Sequence, residues 1–232
     1  MRPHYRAIAL DYDGTLTEDG IPSEGILAAL GEARARGISL ILVTGRILPR
    51  LREIFPDVTR RFDLVVAENG AVLAREGGPE RLLARPVRRE IAEALEAAGV
   101  FTARGQVLVA GLARDAAAFE AEVARSGGGE TLVFNRDAVM VLPSGITKGT
   151  GLAGALAELS IPADRCVAAG DGENDLALFS AAGLGVAVAN AIPLLAERAD
   201  LVLEGRAGEG IAALLRGPIF TGGRIPRRVR RP

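Results

Sequence analysis

The chain has 232 residues, of which 49% are hydrophobic and 25% are charged, so it can bury the core of one domain or of a domain with an insert. Its 28 basic and 29 acidic residues give a net charge of −1, and aromatic residues make up only 4%, which argues against a nucleic-acid binder. One cysteine, one histidine and no apolar run of about 20 residues exclude a disulfide framework, His-rich metal sites and a membrane span. Because no signal peptide precedes the first apolar run, we expect a cytoplasmic protein.

Short apolar runs alternate with helical patterns at both ends of the chain. The predicted strands cover 7–10, 38–43, 63–67, 166–169, 184–188 and 200–203. The predicted helices cover 23–36, 48–55, 149–159, 175–182, 192–198 and 209–215. Continuous apolar strands that alternate with helices are typical of sheets that are buried on both faces. The sequence therefore predicts an α/β fold with a Rossmann-like parallel sheet and helices on both faces.

The middle of the chain follows a different pattern, between the turn-rich segments 76–80 and 143–145. It predicts helices at 88–98 and 114–124, and strands at 101–103, 106–110, 131–134 and 139–142. Because this order does not fit a parallel sheet, we expect a small inserted α+β cap domain at 81–146, with the core at 1–80 and 147–216. Residues 217–232 contain five Arg and no acidic residue, which predicts a basic, flexible tail.

Polar residues follow three of the predicted strands. The segment Asp11-Tyr12-Asp13-Gly14-Thr15-Leu16 follows the first strand, Thr44-Gly45-Arg46 follows the second, and Gly170-Asp171-Gly172-Glu173-Asn174-Asp175 ends a later one. In open α/β sheets, ligands bind beyond the carboxyl ends of the strands, near the point where the strand order reverses. We therefore expect these three segments to share one crevice.

The carboxylates and one lysine of these segments indicate phosphoryl chemistry. Asp11, Asp13, Asp171 and Asp175 would repel one another unless a cation lies between them, and oxygen ligands without histidine favour Mg²⁺. Lys148 is the single lysine among 28 basic residues and lies at the start of a predicted helix. A compact ammonium group is a frequent partner of phosphate. A metal ion and one lysine together suit the charge of a transferring phosphoryl group.

The order of these motifs resembles the haloacid dehalogenase (HAD) superfamily. The resemblance is strongest to its Cof-type branch, in which an α+β cap is inserted after the third core strand, and Glu68-Asn69-Gly70-Ala71 also looks like that branch. The short insert is similar in length to the compact caps of archaeal-type phosphoglycolate phosphatases.

The resemblance implies a role for each motif residue. Asp11 would be the nucleophile and Asp13 the general acid and base. The residues that bind phosphate would be Thr44, Gly45, Lys148 and Asn174, with Asn174 either touching the phosphate or orienting Lys148. The Mg²⁺ ligands would be Asp11, the backbone carbonyl of Asp13, Asp171 and Asp175.

The function that follows is a Mg²⁺-dependent phosphatase, which hydrolyses a small organic phosphomonoester of the phosphoglycolate or sugar phosphate type through an aspartyl phosphate. One alternative is a phosphotransferase resembling phosphomannomutase, which would need a larger cap. The other is a non-catalytic binding module on a HAD scaffold, which predicts a damaged motif. The expected partner is a small phosphorylated metabolite, with a homodimer left open.

Overall fold

The computed structural model describes residues 4–222, which form two β-sheets and the helices that cover them. The strands are β1 (Ala7–Leu10), β2 (Ser39–Val43), β3 (Leu64–Ala67), β4 (Val72–Ala74), β5 (Arg81–Leu82), β6 (Ala103–Arg104), β7 (Val109–Leu112), β8 (Glu130–Asn135), β9 (Ala138–Pro143), β10 (Cys166–Gly170), β11 (Leu184–Ala187) and β12 (Leu201–Val202). The helices are α1 (Glu24–Ala35), α2 (Leu48–Ile54), α3 (Val58–Arg61), α4 (Arg89–Ala97), α5 (Ala116–Arg125), α6 (Lys148–Glu158), α7 (Asp175–Ser180), α8 (Pro193–Arg198), α9 (Ala207–Arg216) and α10 (Pro218–Thr221).

The larger sheet has the strand order β12-β11-β10-β1-β2-β3-β4-β5. Its first six strands in this order are parallel, whereas β4 and β5 pair antiparallel at one edge. The strand order reverses at β1, which lies between β10 and β2, so the carboxyl ends of these three strands are neighbours. This arrangement confirms the predicted α/β fold and brings together the segments that follow the three strands.

Helices cover both faces of the larger sheet. Alternate residues of β1 point to opposite faces of the sheet. Ile8 belongs to an apolar cluster with residues of α1 and α9. Its neighbour Ala9 belongs to a second cluster, with residues of α6 and α7. All four residues of β1 are fully buried, as expected for a central parallel strand. None of the helices in residues 4–222 combines the length and the apolar character that a membrane span requires.

The smaller sheet is antiparallel, with the order β6-β7-β9-β8. An apolar cluster with Ile91 of α4 and Phe119 of α5 covers one of its faces. Its other face contributes Met140 and Leu142 to a cluster shared with the larger sheet. The second sheet agrees with the predicted α+β insert, and its assignment as a separate cap domain at 81–146 stays a proposal.

Three details differ from the sequence predictions. The strand predicted at 106–110 begins instead at Val109, because the backbone N–H groups of residues 106–108 donate to the Glu68 carboxylate. Residues 81–82, expected in the insert, form β5 and pair with β4 of the larger sheet. The flexible tail predicted from residue 217 is wrong for its first part, since Ile219 and Phe220 of α10 are buried in the core. Residues 223–232 lie outside the described residues.

Glu130 stabilises the smaller sheet through ion pairs, and we expect Glu130→Gln to lower the free energy of unfolding by about 1–2 kcal/mol at neutral pH. Its side chain is fully buried and pairs with Arg85 at 2.9 Å and Arg88 at 2.5 Å. The hydrogen bond from Arg88 is the main reason why the pKa of Glu130 is lowered. This stabilisation is therefore present above about pH 4.3, the ordinary pKa of Glu, and is lost as the pH falls through the lowered pKa.

Urea unfolding of the wild type and of Glu130→Gln at pH 7 and near pH 3 measures this effect. The difference between their free energies of unfolding should be smaller near pH 3. Glu93→Gln is the control, because Glu93 and its partner Arg89 are exposed and such pairs contribute less than about 1 kcal/mol. If Glu130→Gln lowers the free energy of unfolding by the same amount at both pH values, the ion pairs of Glu130 do not stabilise the sheet.

Candidate active site

The segment after β1 turns sharply and brings Asp11 to the edge of the sheet. The Asp11 N–H donates to the Ala169 carbonyl at 3.0 Å, which continues the pairing of β1 with β10. Gly14 then adopts φ +82°, and a Cβ atom there would lie 2.3 Å from Asp171 Oδ2. Both the left-handed backbone and this close approach require glycine. The turn therefore allows Asp11 and Asp171 to come together.

Lys148 is completely buried between two carboxylates. Its Nζ donates to Asp11 Oδ1 at 2.6 Å and to Asp175 Oδ1 at 2.7 Å. A capping box between Thr147 and Thr150 fixes the first turn of α6, from which Lys148 projects. Burial alone lowers the pKa of Lys148, but the two carboxylates raise it by more, so the ammonium stays charged. We call Asp11, Lys148 and Asp175 the ion triad.

Hydrogen bonds also fix the carboxylates that follow β10. The backbone N–H groups of Asp171 and Gly172 both donate to Asp175 Oδ2 at 3.0 Å. Asp171 in turn accepts a hydrogen bond from the Thr15 hydroxyl at 3.1 Å and an ion pair from Arg136. The loop between β10 and α7 is therefore held in place by its own backbone and by two other segments.

Asp11, Asp171 and Asp175 could hold a metal ion, because each offers a carboxylate oxygen and these three atoms lie within 4.8 Å of one another. Burial raises the pKa of Asp11 well above its ordinary value. The charge of Lys148 lowers this pKa, whereas the charges of Asp175 and Asp171 raise it further. Burial likewise raises the pKa of Asp171. Buried carboxylates at this distance stabilise a further cation, and an all-oxygen donor set fits a hard divalent ion.

Asp13 lies outside this carboxylate group, and its side chain instead pairs with Arg46. Arg46 Nε donates to Asp13 Oδ2 at 2.7 Å, and a second guanidinium nitrogen donates to Oδ1 at 2.5 Å. The guanidinium also lies 5.2 Å from the centre of the Tyr12 ring. Hydrogen bonds to Asp13 raise the pKa of Arg46. The sequence pointed to the Thr44-Gly45-Arg46 segment but not to this partner of Arg46.

The other side chains predicted to bind phosphate are those of Thr44 and Asn174, and both residues are buried. Thr44 is buried, and its hydroxyl oxygen accepts the Arg46 N–H at 3.1 Å. The Asn174 amide donates to Asn69 Oδ1 at 3.0 Å, and within residues 4–222 it makes no hydrogen bond to Lys148. The oxygen of the Asn174 side chain is buried and has no partner in this part of the chain. Asn174 is thus positioned by Asn69.

A cavity of about 270 Å³ lies between the two sheets and reaches Asp11. It is lined by Asp11, Asp13, Gly45, Arg46, Ile47, Arg50, Ala103, Ala110, Asn135, Ala138 and Met140. The turn between β8 and β9 reaches from the smaller sheet to the site, and its Arg136, with φ +51°, forms the ion pair with Asp171. The sequence analysis did not identify Arg136 as a site residue, because nothing local distinguishes a hairpin arginine that reaches another sheet.

The comparisons with known proteins agree with this fold. The model of the haloacid dehalogenase-like hydrolase family matches residues 8–98 and 106–215. A phosphoglycolate phosphatase of Methanothermobacter thermautotrophicus is 32% identical over 225 residues, which are 91% of this chain and 97% of the relative.

Two solved structures show the same fold. Thermoplasma acidophilum 0175 has a TM-score of 0.77 at 18% identity, over 91% of this chain and 97% of its own. A sugar phosphatase of HAD subclass IIB has a TM-score of 0.72 at 20% identity, over 91% of this chain and 98% of its own. The chain therefore belongs to the haloacid dehalogenase-like hydrolase family, which confirms the resemblance and the prediction of a hydrolytic enzyme.

If the three carboxylates hold a divalent ion, Mg²⁺ should raise the melting temperature of the protein, because a ligand that binds only the folded state stabilises it. Asp171→Asn should abolish most of this rise. Glu173→Gln is a matched control, because Glu173 lies in the same loop but is exposed. Thermal unfolding with and without Mg²⁺ gives the melting temperatures of the wild type, Asp171→Asn and Glu173→Gln. Equal rises in the wild type and in Asp171→Asn would exclude Asp171 as a ligand.

Proposed function

We propose that this chain is a Mg²⁺-dependent phosphatase, which hydrolyses a small organic phosphomonoester through an aspartyl phosphate on Asp11. The observation that carries the proposal is the buried ion triad, whose Asp11 lines the cavity. Relatives named phosphoglycolate phosphatase support a phosphomonoester substrate, either phosphoglycolate or a sugar phosphate. The role of each site residue in this proposal follows from its position.

In the first step, a carboxylate oxygen of Asp11 attacks the phosphorus atom, and the bond from phosphorus to the ester oxygen breaks. Lys148 hydrogen-bonds Oδ1 of Asp11, which leaves Oδ2 as the attacking atom. The ammonium group reduces the repulsion between this carboxylate and the phosphoryl oxygens. Asp13 lines the same cavity and would give its proton to the leaving alkoxide.

In the second step, Asp13 takes a proton from water, and the water oxygen attacks the phosphorus atom of the aspartyl phosphate. The bond between phosphorus and Asp11 breaks, which releases inorganic phosphate and restores both carboxyl groups to their starting state. In its ionised form Asp13 accepts a hydrogen bond from Arg46 on each oxygen, as the structure shows; in its protonated form one oxygen carries the proton, and Arg46 would hold the carboxyl group through the other.

The remaining residues would neutralise and orient the phosphoryl group. Mg²⁺ held by Asp11, Asp171, Asp175 and the Asp13 carbonyl would withdraw charge from the phosphoryl oxygens. The residues that would donate hydrogen bonds to these oxygens are Thr44, Gly45 and Asn174. Gly45 lines the cavity together with Asp11, and Asn174 directly precedes Asp175 of the ion triad.

The cavity favours a small substrate with a second negative group. Its volume of about 270 Å³ is below the roughly 300–1,000 Å³ of sites for larger ligands. Arg50 lies on its wall and forms no ion pair within residues 4–222, whereas Arg46 is already paired with Asp13. An unpaired guanidinium attracts a carboxylate. Phosphoglycolate therefore fits this cavity better than a sugar phosphate, and no observation favours the phosphotransferase.

We expect Asp11→Asn to lower kcat by more than about 100-fold, because an amide cannot act as the nucleophile. Lys148 keeps its hydrogen bond to Asp175 in this variant, so the melting temperature should change by only a few degrees. Release of phosphate from phosphoglycolate and from p-nitrophenyl phosphate, with Mg²⁺, measures kcat. A variant that keeps more than about a hundredth of the wild-type rate would exclude Asp11 as the nucleophile.

We expect Arg50→Ala to raise KM for phosphoglycolate by about five- to tenfold, the range of an exposed to half-buried ion pair. KM for ethyl phosphate, which has no carboxylate, should stay the same. Arg60→Ala is the control, because Arg60 pairs with Asp57 outside the cavity. Steady-state kinetics with the two esters measures the effect, and equal changes of KM for both would show that Arg50 does not bind the carboxylate.

A further inference from the structure

Glu68 is a buried carboxylate that has no role in the proposed phosphatase mechanism. Its side chain is fully buried, and within residues 4–222 it forms no ion pair. Burying a charge is unfavourable unless hydrogen bonds replace its water. The partners that replace water for Glu68 all belong to a segment that leads into the smaller sheet.

These partners are the backbone N–H groups of residues 106–108, which belong to the segment 105–108 that we call the docking loop. Gln106 donates to Glu68 Oε1 at 2.9 Å, while Val107 and Leu108 donate to Oε2 at 2.8 and 3.1 Å. Gly105 packs against the same carboxylate, and a Cβ atom there would lie 2.4 Å from Oε2. Three consecutive backbone donors around one anion form a compact, charge-assisted contact.

The backbone of Glu68 is fixed from the side of the larger sheet. Its N–H donates to the Arg46 carbonyl at 3.0 Å, and the next N–H, of Asn69, donates to the Thr44 carbonyl at 2.9 Å. Glu68 has φ +52°, a left-handed conformation that is uncommon for glutamate. Such a conformation persists only where its surroundings hold it. The left-handed backbone is the geometry in which the side chain reaches the docking loop.

The docking loop lies between two of the strands that cover the cavity. It joins β6 to β7, and Ala103, Ala110 and Met140 of the smaller sheet line the cavity above Asp11. Together with the Arg136–Asp171 ion pair, the docking loop connects this sheet to the segments around Asp11.

From these contacts we infer that Glu68 is a positioning residue that holds the smaller sheet over the Asp11 site through the docking loop. Glu68 touches neither the substrate nor the metal ligands. The inference deepens the proposed phosphatase function and rests on it for its kinetic consequences, but the contact itself can be tested without activity.

Loss of the contact lowers the fraction of molecules in which the smaller sheet is closed over the site. When only a fraction of the protein is competent to bind, the apparent dissociation constant rises in inverse proportion to that fraction. A saturating substrate restores the closed form. KM should therefore rise while kcat changes little, whereas a purely structural defect would lower the active fraction and leave KM unchanged.

Glu68→Gln places an amide NH₂ group against the backbone donors, and Gly105→Ala disturbs the same contact from the docking loop. Each should raise KM for phosphoglycolate by about 10- to 100-fold, because the loss of charge-assisted hydrogen bonds lowers the closed fraction by that factor. The double variant should be no worse than the worse single variant, because both remove one interaction. Gln106→Ala is the control, since it removes only the side-chain contact to Glu80 and keeps the backbone donor.

Hydrogen exchange of the docking-loop amides, followed by mass spectrometry, tests the contact directly. The inference predicts slow exchange at 106–108 in the wild type and in Gln106→Ala, and fast exchange in Glu68→Gln and Gly105→Ala. Unchanged exchange, or additive effects on KM, would overturn the inference. If the wild type hydrolyses no phosphomonoester, the proposed function fails, while the exchange result still decides the role of Glu68 in holding the docking loop.

Discussion

The burial of Lys148 between Asp11 and Asp175 is the interaction on which the rest of the site depends. An ammonium group removed from water is stable only with opposite charges at close range, and its Nζ lies 2.6 Å from Asp11 and 2.7 Å from Asp175. Since Asp11 follows β1, Lys148 begins α6 and Asp175 begins α7, this one requirement fixes three segments relative to one another. A planar guanidinium does not replace a compact ammonium at these distances, which explains the single lysine in a chain that otherwise uses arginine.

The turn at Glu68–Gly70 extends this fixed arrangement to both sides. Asn69 accepts a hydrogen bond from Asn174, beside the metal-site carboxylates, while Glu68 holds the docking loop. Gly70 is required here, because a Cβ atom at its φ of +109° would lie 2.0 Å from the Thr147 carbonyl, next to Lys148. Asn174, the start of α6 and the smaller sheet are therefore linked through one turn of three residues. Its two left-handed non-glycine residues, Glu68 and Asn69, each hydrogen-bond to other segments, which holds their uncommon backbone in place.

The fold and the position of the site could be predicted because local pattern determines both. Buried strands such as Ala7–Leu10 are continuous apolar runs, and the rule that ligands bind beyond strand ends then places Asp11, Thr44 and Asp171 together. Contacts between distant segments left no local signal. Arg136 reaches Asp171 across 35 residues of sequence, and the amides of 106–108 were assigned to a strand because their partner, Glu68, lies 38 to 40 residues earlier. The burial of Phe220 was missed because the basic residues after it dominated the composition of that segment.

The stereochemical course at phosphorus shows whether the phosphoryl group is transferred first to Asp11 or directly to water. A phosphorothioate ester of known configuration, labelled with oxygen isotopes, is hydrolysed in isotopically labelled water, and the configuration of the released thiophosphate is determined. Two successive in-line displacements, first by Asp11 and then by water, predict net retention of configuration. Net inversion would show a single attack by water and would contradict the account.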